Sequence, residues 1–328
     1  MSEAIGIAEI RAARQRLDGV ARVTPLLESP FLNQIAGRRL LVKPECLQRT
    51  GSFKFRGGWS AVSALPEGQR QRGVLAYSSG NHAQGVAHAA ELHRIPAVIV
   101  MPADAPALKI ANTRAHGAEV VLYDRAGGES REEKGQTLAN ERGLTLIRPY
   151  DEPMVIAGQG TCGLEIAEQA EAQGIAEADV LVCCGGGGLS AGIALALEDA
   201  HPGLRLRPVE PDTADDVCRS LATGERQSND GPITSICDAI VTPTPGELTF
   251  PVLKRLAGPG LTVTDRQALM AVAQAFLRLK LVAEPGGAVA LAAALYRGEQ
   301  ISGDAVIAVV TGGNVDPQMF AHALATLD

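Results

Sequence analysis

The sequence predicts an α/β protein with two doubly wound domains and mostly parallel sheets. Short, continuous apolar runs bounded by turn residues alternate with segments in which apolar residues recur with a period near 3.6. Continuous apolar runs are typical of parallel strands that are covered on both faces, and the periodic segments are typical of the crossover helices between them. At 328 residues the chain is long enough for two such units.

The strands predicted from these runs follow one another at uneven intervals. They are 39–44, 74–79, 97–102, 119–124, 144–150, 179–184, 204–210 and 305–311. Periodic segments such as 130–142 and 189–200 lie between them and predict helices. Thr264 and Gln267 form a capping-box pattern that predicts the start of a late helix. The closer spacing of the earlier strands favours two domains with a cleft between them.

Composition and charge exclude several classes of protein. Apolar residues make up 46% of the chain and charged residues 20%, which is typical of a globular protein and not of a disordered one. The formal charge of −7, without a Lys/Arg cluster, argues against a nucleic-acid partner. The uncharged run 180–197 contains five glycines, which predicts strand, turn and helix instead of a membrane span.

The cysteines favour a reducing compartment, and the histidines show no common metal-binding motif. The six cysteines form no CxxC pair, and the six histidines show no HExxH or HxH spacing, which argues against a histidine-based metal site. The first 25 residues carry charges at helical spacing, which is not the pattern of a signal peptide. We therefore expect a cytoplasmic protein with free thiols.

A turn of four glycines, Gly185, Gly186, Gly187 and Gly188, follows one predicted strand and precedes Leu189 of a predicted helix. Backbone N–H groups of such a turn point into one concavity at the positive end of the helix, which favours a phosphate group.

Two cofactors fit this turn. The spacing Gly186-x-Gly188-x-x-Ala191, with Glu210 about twenty residues on, fits a nicotinamide dinucleotide site. Its place past the middle of the chain weakens that hypothesis. Pyridoxal phosphate is the alternative, and it requires a lysine for its aldehyde. Lys54, flanked by Phe53 and Phe55 in a chain with 3% aromatics, is the candidate.

Six motifs carry a resemblance to a known family. They are "TGSFKFRGG", "SSGNHAQG", "GGGGLSAGI", "EPDTADD", "VAEPGGA" and "VTGGNVD", in this order along the chain. Together they resemble the pyridoxal-phosphate β-family, in its serine racemase and serine/threonine dehydratase branch. The resemblance implies the tryptophan synthase β-like fold, which is pyridoxal-phosphate fold type II, and a homodimer. It also implies a large domain of residues 1–50 and 150–328 and a small domain of residues 51–149.

The resemblance implies a role for most of these motif residues. Lys54 matches the Schiff-base lysine, Phe53 lies beside the cofactor, and Asn81 hydrogen-bonds the ring hydroxyl. Gly185, Gly186, Gly187, Gly188 and Leu189 match the phosphate cradle. Thr311 matches the hydroxyl residue that faces the pyridine nitrogen. Glu284 matches a pocket glutamate whose role stays unassigned.

The turn of Ser78, Ser79, Gly80, Asn81 and His82, with free N–H groups at a helix start, would suit a substrate carboxylate. A plain strand-to-helix turn, which Ser and Asn also favour, is the alternative. Racemases carry a serine at the position of Ser79 as an acid/base opposite the lysine, and 3-hydroxyaspartate dehydratases that resemble racemases share this serine. A small turn residue is the alternative interpretation of Ser79. Arg131 matches an arginine of racemases. On a helix flanked by acids, a solvated ion pair is the simpler interpretation of Arg131.

The segment 210–216 resembles a divalent cation site of this branch. The resemblance implies the carboxylates of Glu210 and Asp216 and the backbone carbonyl of Ala214 as ligands. Oxygen ligands suit Mg²⁺, Mn²⁺ or Ca²⁺. Without the resemblance, acids between a strand and a helix are typical capping residues.

The resulting functional hypothesis is a pyridoxal-phosphate-dependent dehydratase, or ammonia-lyase. It would convert serine, threonine or threo-3-hydroxyaspartate, all small β-hydroxy amino acids, to a 2-oxo acid and ammonia. An amino-acid racemase on the same site is the alternative. A nicotinamide-dependent dehydrogenase is a third hypothesis from another cofactor class. A non-catalytic amino-acid sensor is a fourth, which would leave Lys54 idle.

Overall fold

The computed structural model describes residues 5–78, 80–105, 107–124, 127–229, 231 and 233–327. Within them the strands are β1 Leu27–Glu28, β2 Arg39–Pro44, β3 Val74–Tyr77, β4 Ala97–Pro102, β5 Glu119–Tyr123, β6 Thr145–Leu146, β7 Ala178–Cys183, β8 Leu204–Pro211, β9 Leu261–Val263 and β10 Ala305–Val310. The helices are α1 Ile7–Leu17, α2 Pro30–Ala36, α3 Lys54–Ala64, α4 Glu67–Arg72, α5 Asn81–His93, α6 Ala107–Ala115, α7 Arg131–Arg142, α8 Pro153–Ala172, α9 Gly188–Ala200, α10 Asp216–Thr223, α11 Thr249–Leu256, α12 Asp265–Leu279, α13 Pro285–Tyr296 and α14 Pro317–Leu324.

Two sheets organise the described chain. The larger has the order β1-β2-β10-β7-β8-β9, in which only the pairing of β1 with β2 is antiparallel. The smaller has the order β5-β4-β3-β6 and is parallel throughout. The predicted α/β class with mostly parallel sheets is confirmed. The four strands of the smaller sheet all lie between residues 74 and 146.

The central strands are continuous apolar runs because helices cover both faces of the larger sheet. Every residue of β7 and of β10 is buried. One core forms where β7 and β10 meet α8 and α9, and a second where they meet α12 and α13. These layers fix the carboxyl ends of the parallel strands, where ligand sites of such folds lie.

The structure differs from the sequence prediction in two short strands that were not predicted and in one predicted strand that is shorter than expected. β1 and β9 have two and three residues, too few for a pattern to show. The predicted strand 144–150 pairs only over β6, and Ile147 donates the last hydrogen bond to β3, at 2.8 Å. The chain then leaves the sheet edge before Pro149, which has no N–H to donate.

Local predictions elsewhere agree with the structure. Thr264 Oγ1 accepts a hydrogen bond from Gln267 N, and the Gln267 side chain accepts one from Thr264 N, so the predicted capping box starts α12. None of the six cysteines is in a disulfide. Among the helices of the described residues, none is long and apolar enough to cross a membrane.

Candidate active site

Lys54 begins helix α3 beside the end of strand β10. Phe53 N donates a hydrogen bond to Thr311 O at 3.1 Å, which ties this turn to the strand end. The Lys54 ammonium lies over the Phe53 ring at 5.2 Å and donates to Pro149 O at 2.8 Å. Burial lowers the pKa of Lys54 to about 8. A lysine with this pKa is partly neutral near neutral pH and can act as a nucleophile or a base.

Glycines around Lys54 allow helices α3 and α5 to touch. A Cβ on Gly85 would lie 3.0 Å from the Lys54 backbone, and one on Gly58 would lie 3.0 Å from Gly85. Contact this close leaves no room for side chains at either position. It brings the Lys54 turn against the helix that carries Asn81 and His82.

The glycine turn joins β7 to α9 and faces Lys54 across a small cavity. Within the described residues, the N–H groups of Gly185, Gly186 and Gly187 donate to no acceptor of the protein. Gly186 O is turned away and accepts from Gly246 N at 3.1 Å and from Thr249 Oγ1 at 2.6 Å. The free N–H groups therefore point where an anion is favoured.

Ser190 adds a hydroxyl to this turn. Its Oγ is fully buried, lines the same cavity, and has no hydrogen-bond partner in the described part of the chain. Buried polar atoms are rarely left unpaired, so an orphaned hydroxyl in the first turn of α9 fits a phosphate oxygen. Sequence reasoning missed Ser190, although it stands in the quoted motif "GGGGLSAGI".

Asn81 and Glu284 form one network at the cleft. Asn81 Nδ2 donates to Glu284 Oε1 at 2.5 Å, and Asn81 Oδ1 accepts from Asn314 Nδ2 at 2.7 Å. Burial raises the pKa of Glu284 to about 7. Thr311 is buried at the end of β10 and its N–H donates to Gly287 O. The network holds the Asn81 side chain in one orientation. Asn314 lies in the motif "VTGGNVD", but the sequence analysis did not single it out.

The substrate-binding turn predicted from the sequence lies between β3 and α5. Gly80 N donates to Ser78 Oγ at 3.2 Å. Burial, together with the charge of Lys54, lowers the pKa of His82 to about 3, so His82 is neutral and its Nε2 donates to Ile147 O at 3.0 Å. Ser79 lies outside the described residues.

Two further cations line the cleft that Lys54, Asn81 and His82 share. Lys109 Nζ lies 3.2 Å from Asp238 Oδ2, and this ion pair joins α6 to the loop before α11. The Arg131 guanidinium lies over the Tyr77 ring at 5.6 Å, and its Nε contacts Glu132 Oε1 at 2.7 Å. The predicted ion pair of Arg131 is therefore present, on a side chain that also borders the cleft. Lys109 carries no motif and was missed.

Glu210 and Asp216 lie together at the end of β8 and the start of α10, and neither lines the cavity that Lys54 shares with the glycine turn. Glu210 accepts hydrogen bonds from Val217 N at 3.1 Å and Cys218 N at 2.7 Å. Asp216 Oδ1 accepts from Asn229 Nδ2 at 2.6 Å, whereas the buried Oδ2 has no partner among the described residues.

Burial raises the pKa of both carboxyls of this pair. The pKa of Glu210 rises to about 8, with the charge of Asp216 adding to the effect, and that of Asp216 rises to about 6. Two buried acids with an unpartnered oxygen fit a hard cation, which would supply the missing positive charge. Ala214 is buried in the connecting turn.

Comparisons with known proteins identify the family. A family described as "Pyridoxal-phosphate dependent enzyme" matches residues 17–312. The chain belongs to this family. The resemblance inferred from the motifs is thereby confirmed, and pyridoxal phosphate takes precedence over a nicotinamide cofactor.

Three relatives narrow the comparison within the family. An L-threo-3-hydroxyaspartate ammonia-lyase of a Pseudomonas species is 45% identical over 96% of this chain and 97% of its own length. A serine racemase of Schizosaccharomyces pombe is 38% identical over 96% of both chains. The crystal structure of a threonine deaminase from T.th. superposes with a TM-score of 0.89 at 44% identity, over 95% of this chain and 99% of that one. The predicted fold type is confirmed by this superposition.

Proposed function

We propose that the protein is a pyridoxal-phosphate-dependent ammonia-lyase that converts L-threo-3-hydroxyaspartate to oxaloacetate and ammonia. The observation that carries the proposal is a lysine of lowered pKa between a free anion cradle and a cleft that holds two more cations. The 45% identical Pseudomonas lyase supports the choice of substrate.

The residues present fit the cofactor. Lys54 Nζ would hold its aldehyde carbon, and the N–H groups of the glycine turn with Ser190 Oγ would bind its phosphate. Asn81 and Thr311 are proposed for the ring hydroxyl and the ring nitrogen. Phe53 would pack beside it, and Glu284 would hold Asn81 in place. When bound, pyridoxal phosphate withdraws electrons from the substrate's α-carbon.

Lys54 is proposed to move the proton of that carbon. A pKa of about 8 leaves part of the amine neutral at physiological pH, so it can accept a proton and return it. Pro149 O fixes the direction of the amine by its 2.8 Å hydrogen bond. Replacing Lys54 by Ala should abolish turnover and the absorbance of the bound cofactor together.

The substrate would be held at both ends. The start of α5, from Gly80 to His82 with Ser78 before it, offers N–H groups and a positive helix terminus to the α-carboxylate. Lys109 and Arg131 offer charge to a second carboxylate. Serine and threonine have no such group, so the two cations favour hydroxyaspartate.

Release of 2-oxo acid from a panel of substrates tests the proposal. The panel contains L- and D-serine, L-threonine and the threo and erythro forms of 3-hydroxyaspartate. We expect release mainly from L-threo-3-hydroxyaspartate. In Arg131→Met, the KM for this substrate should rise about tenfold or more, because one charged contact to its second carboxylate is lost. The KM for L-serine should stay unchanged in that variant. Release from serine or threonine alone would overturn the choice of substrate.

Racemisation is the second candidate on the same site. The serine racemase of S. pombe supports it, as does the serine at position 79. Formation of D-serine from L-serine, lost in Ser79→Ala with elimination retained, would establish this activity. No D-serine from the wild-type protein would exclude it.

Glu210, Asp216 and the Ala214 carbonyl are proposed to bind Mg²⁺, Mn²⁺ or Ca²⁺. The unpartnered Asp216 Oδ2 supports this site. Metal analysis of the purified protein, with Glu210→Gln as comparison, tests it independently of activity. The homodimer, the cytoplasmic location and the domain boundaries given above stay predictions.

A further inference from the structure

Two histidines and a glutamate converge on the surface of the smaller sheet's helices, outside the cleft. His88 and Glu91 lie one turn apart on α5, and His116 follows the end of α6. His88 Nδ1 and His116 Nδ1 each lie 2.8 Å from the same atom, Glu91 Oε2. All three donor atoms lie within 4.8 Å of one another.

We propose that His88, Glu91 and His116 form a binding site for a divalent transition metal, with Zn²⁺ as the best match. Two imidazoles and one carboxylate, with one position left open to water, are a common zinc ligand set. Imidazole nitrogen suits Zn²⁺ and not Mg²⁺ or Ca²⁺. The site is thus chemically distinct from the all-oxygen site proposed at Glu210 and Asp216.

The geometry needs little change to accept the metal. A tetrahedral Zn²⁺ about 2 Å from each donor holds the donors roughly 3.3 Å apart, slightly more than the present hydrogen bonds. Small rotations of the Glu91 and His116 side chains supply that opening, because both are partly exposed, at 45% and 26%. Each ring would then carry its proton on Nε2 and turn the Nδ1 lone pair to the metal.

Packing orders the donors before a metal arrives. The His88 ring lies 5.3 Å from the buried Phe55 ring and 4.7 Å from the His116 ring. The hydrogen bonds from His88 and His116 hold the pKa of Glu91 below its usual value, so Glu91 is a carboxylate at neutral pH. Preordered donors reduce the entropy that binding costs.

A metal at this site would link two helices that border the cleft. α5 begins with Asn81 and His82, and α6 carries Lys109. Joining the far end of α5 to the end of α6 would restrict their relative motion. We therefore expect bound Zn²⁺ to raise the thermal midpoint of the holoenzyme as well as to bind.

The test is a titration of chelator-treated holoenzyme with Zn²⁺ against a chromophoric competitor, in excess Mg²⁺. We expect one site per chain, and affinity reduced about a hundredfold or more in Glu91→Gln and in His116→Gln, because even the loss of a residue that only orients a ligand costs about 10–100-fold. Co²⁺ in place of Zn²⁺ should give the visible bands of a tetrahedral site in the wild type only. Retained cofactor absorbance in both variants shows that they are folded.

Two variants serve as controls. Asp216→Asn removes a carboxylate of the oxygen-only site, and His201→Gln removes a histidine whose Nε2 pairs with Ile175 O elsewhere. Both should bind Zn²⁺ as the wild type does. Equal Zn²⁺ affinity in the wild type and His116→Gln, or loss of binding in Asp216→Asn alone, would overturn the proposal. Absence of a Zn²⁺-dependent rise in the thermal midpoint would overturn the expected link between the helices.

Discussion

Two pairs of buried carboxylates in this molecule have opposite electrostatic surroundings. Glu45 and Glu165 surround the buried Arg56 of helix α3, which makes hydrogen bonds of 2.6 to 2.9 Å to both. Lys43 adds a second buried cation, 2.6 Å from Glu165. Glu210 and Asp216 instead accept hydrogen bonds from N–H groups, and burial raises the pKa of Asp216 by more than the charge of Arg219 lowers it.

The difference shows in the pKa values. Burial alone raises the pKa of Glu45, but the charge of Arg56 and its hydrogen bonds bring it below the usual value. Burial raises the pKa of Glu210 to about 8, and its neighbour Asp216 adds to that rise. Arg56 and Lys43 thus neutralise Glu45 and Glu165 inside the fold, whereas burial dominates at Glu210 and Asp216, where a cation site is proposed.

The largest expected effect is the loss of stability when one acid is removed from the cluster of Lys43, Glu45, Arg56 and Glu165, here called the balanced cluster. Glu165→Gln leaves Lys43 and Arg56 with a single carboxylate, and an uncompensated buried charge costs about 3–5 kcal/mol of unfolding free energy. Denaturant unfolding followed by the fluorescence of Trp59, the chain's one tryptophan, would measure the loss. Trp59 suits this purpose because it lies on α3, one turn from Arg56.

A matched control lies on the same helix. Glu168, one turn from Glu165 on α8, pairs with Arg14 at the surface, where both side chains are about half exposed. Surface pairs contribute little, so Glu168→Gln should leave the unfolding midpoint nearly unchanged. Similar losses in the two variants would show that the balanced cluster has no special role in stability.

The second effect is the change in unfolding free energy with pH and with metal removal at the pair of Glu210 and Asp216. The folded-state pKa values of Glu210 and Asp216 lie above their usual values, so the folded protein holds these protons more tightly. The stabilisation is complete below about pH 4 and is lost as the pH rises through about 6 and then about 8. Chelator-treated protein should therefore lose stability over this window, and Mg²⁺ should restore it most at the high end.

The contribution of Glu210 and Asp216 to the pH dependence is obtained by subtracting the curve of a variant from that of the wild type. Glu284 and Lys54 also have shifted pKa values in this range, so the measured quantity is the wild-type curve minus that of Glu210→Gln. Glu168→Gln serves as control, because Glu168 pairs with Arg14 at the surface and takes no part in this acid pair. If Glu210→Gln keeps the full response to Mg²⁺, the cation binds elsewhere.

The sequence could predict the features that depend on neighbouring residues. A glycine turn after an apolar strand, and a lysine set among glycines, are local requirements of the backbone and are visible as motifs. Lys43 and Glu165 are 122 positions apart, and Lys109 and Asp238 are 129 apart. Only the tertiary packing that brings β2 to α8, and α6 to the loop before α11, places such pairs together. Ser190 and Asn314 stood inside quoted motifs, but their meaning required knowing which polar atoms stay unpaired.

The smallest effect we predict is at the edge of the balanced cluster. Thr24 Oγ1 is buried and donates to Glu45 Oε1 at 2.6 Å. Thr24→Val keeps the shape and removes this hydrogen bond to a charged group, which should cost about 1.5–3 kcal/mol of unfolding free energy. Thr24→Ser keeps the hydroxyl and should lose less. Because Glu45 already has its cation, Mg²⁺ should not change the gap between the two variants, measured by denaturant unfolding. A gap that closes on adding Mg²⁺ would mean that the cation also acts on this cluster, and the contrast between the two carboxylate pairs would fail.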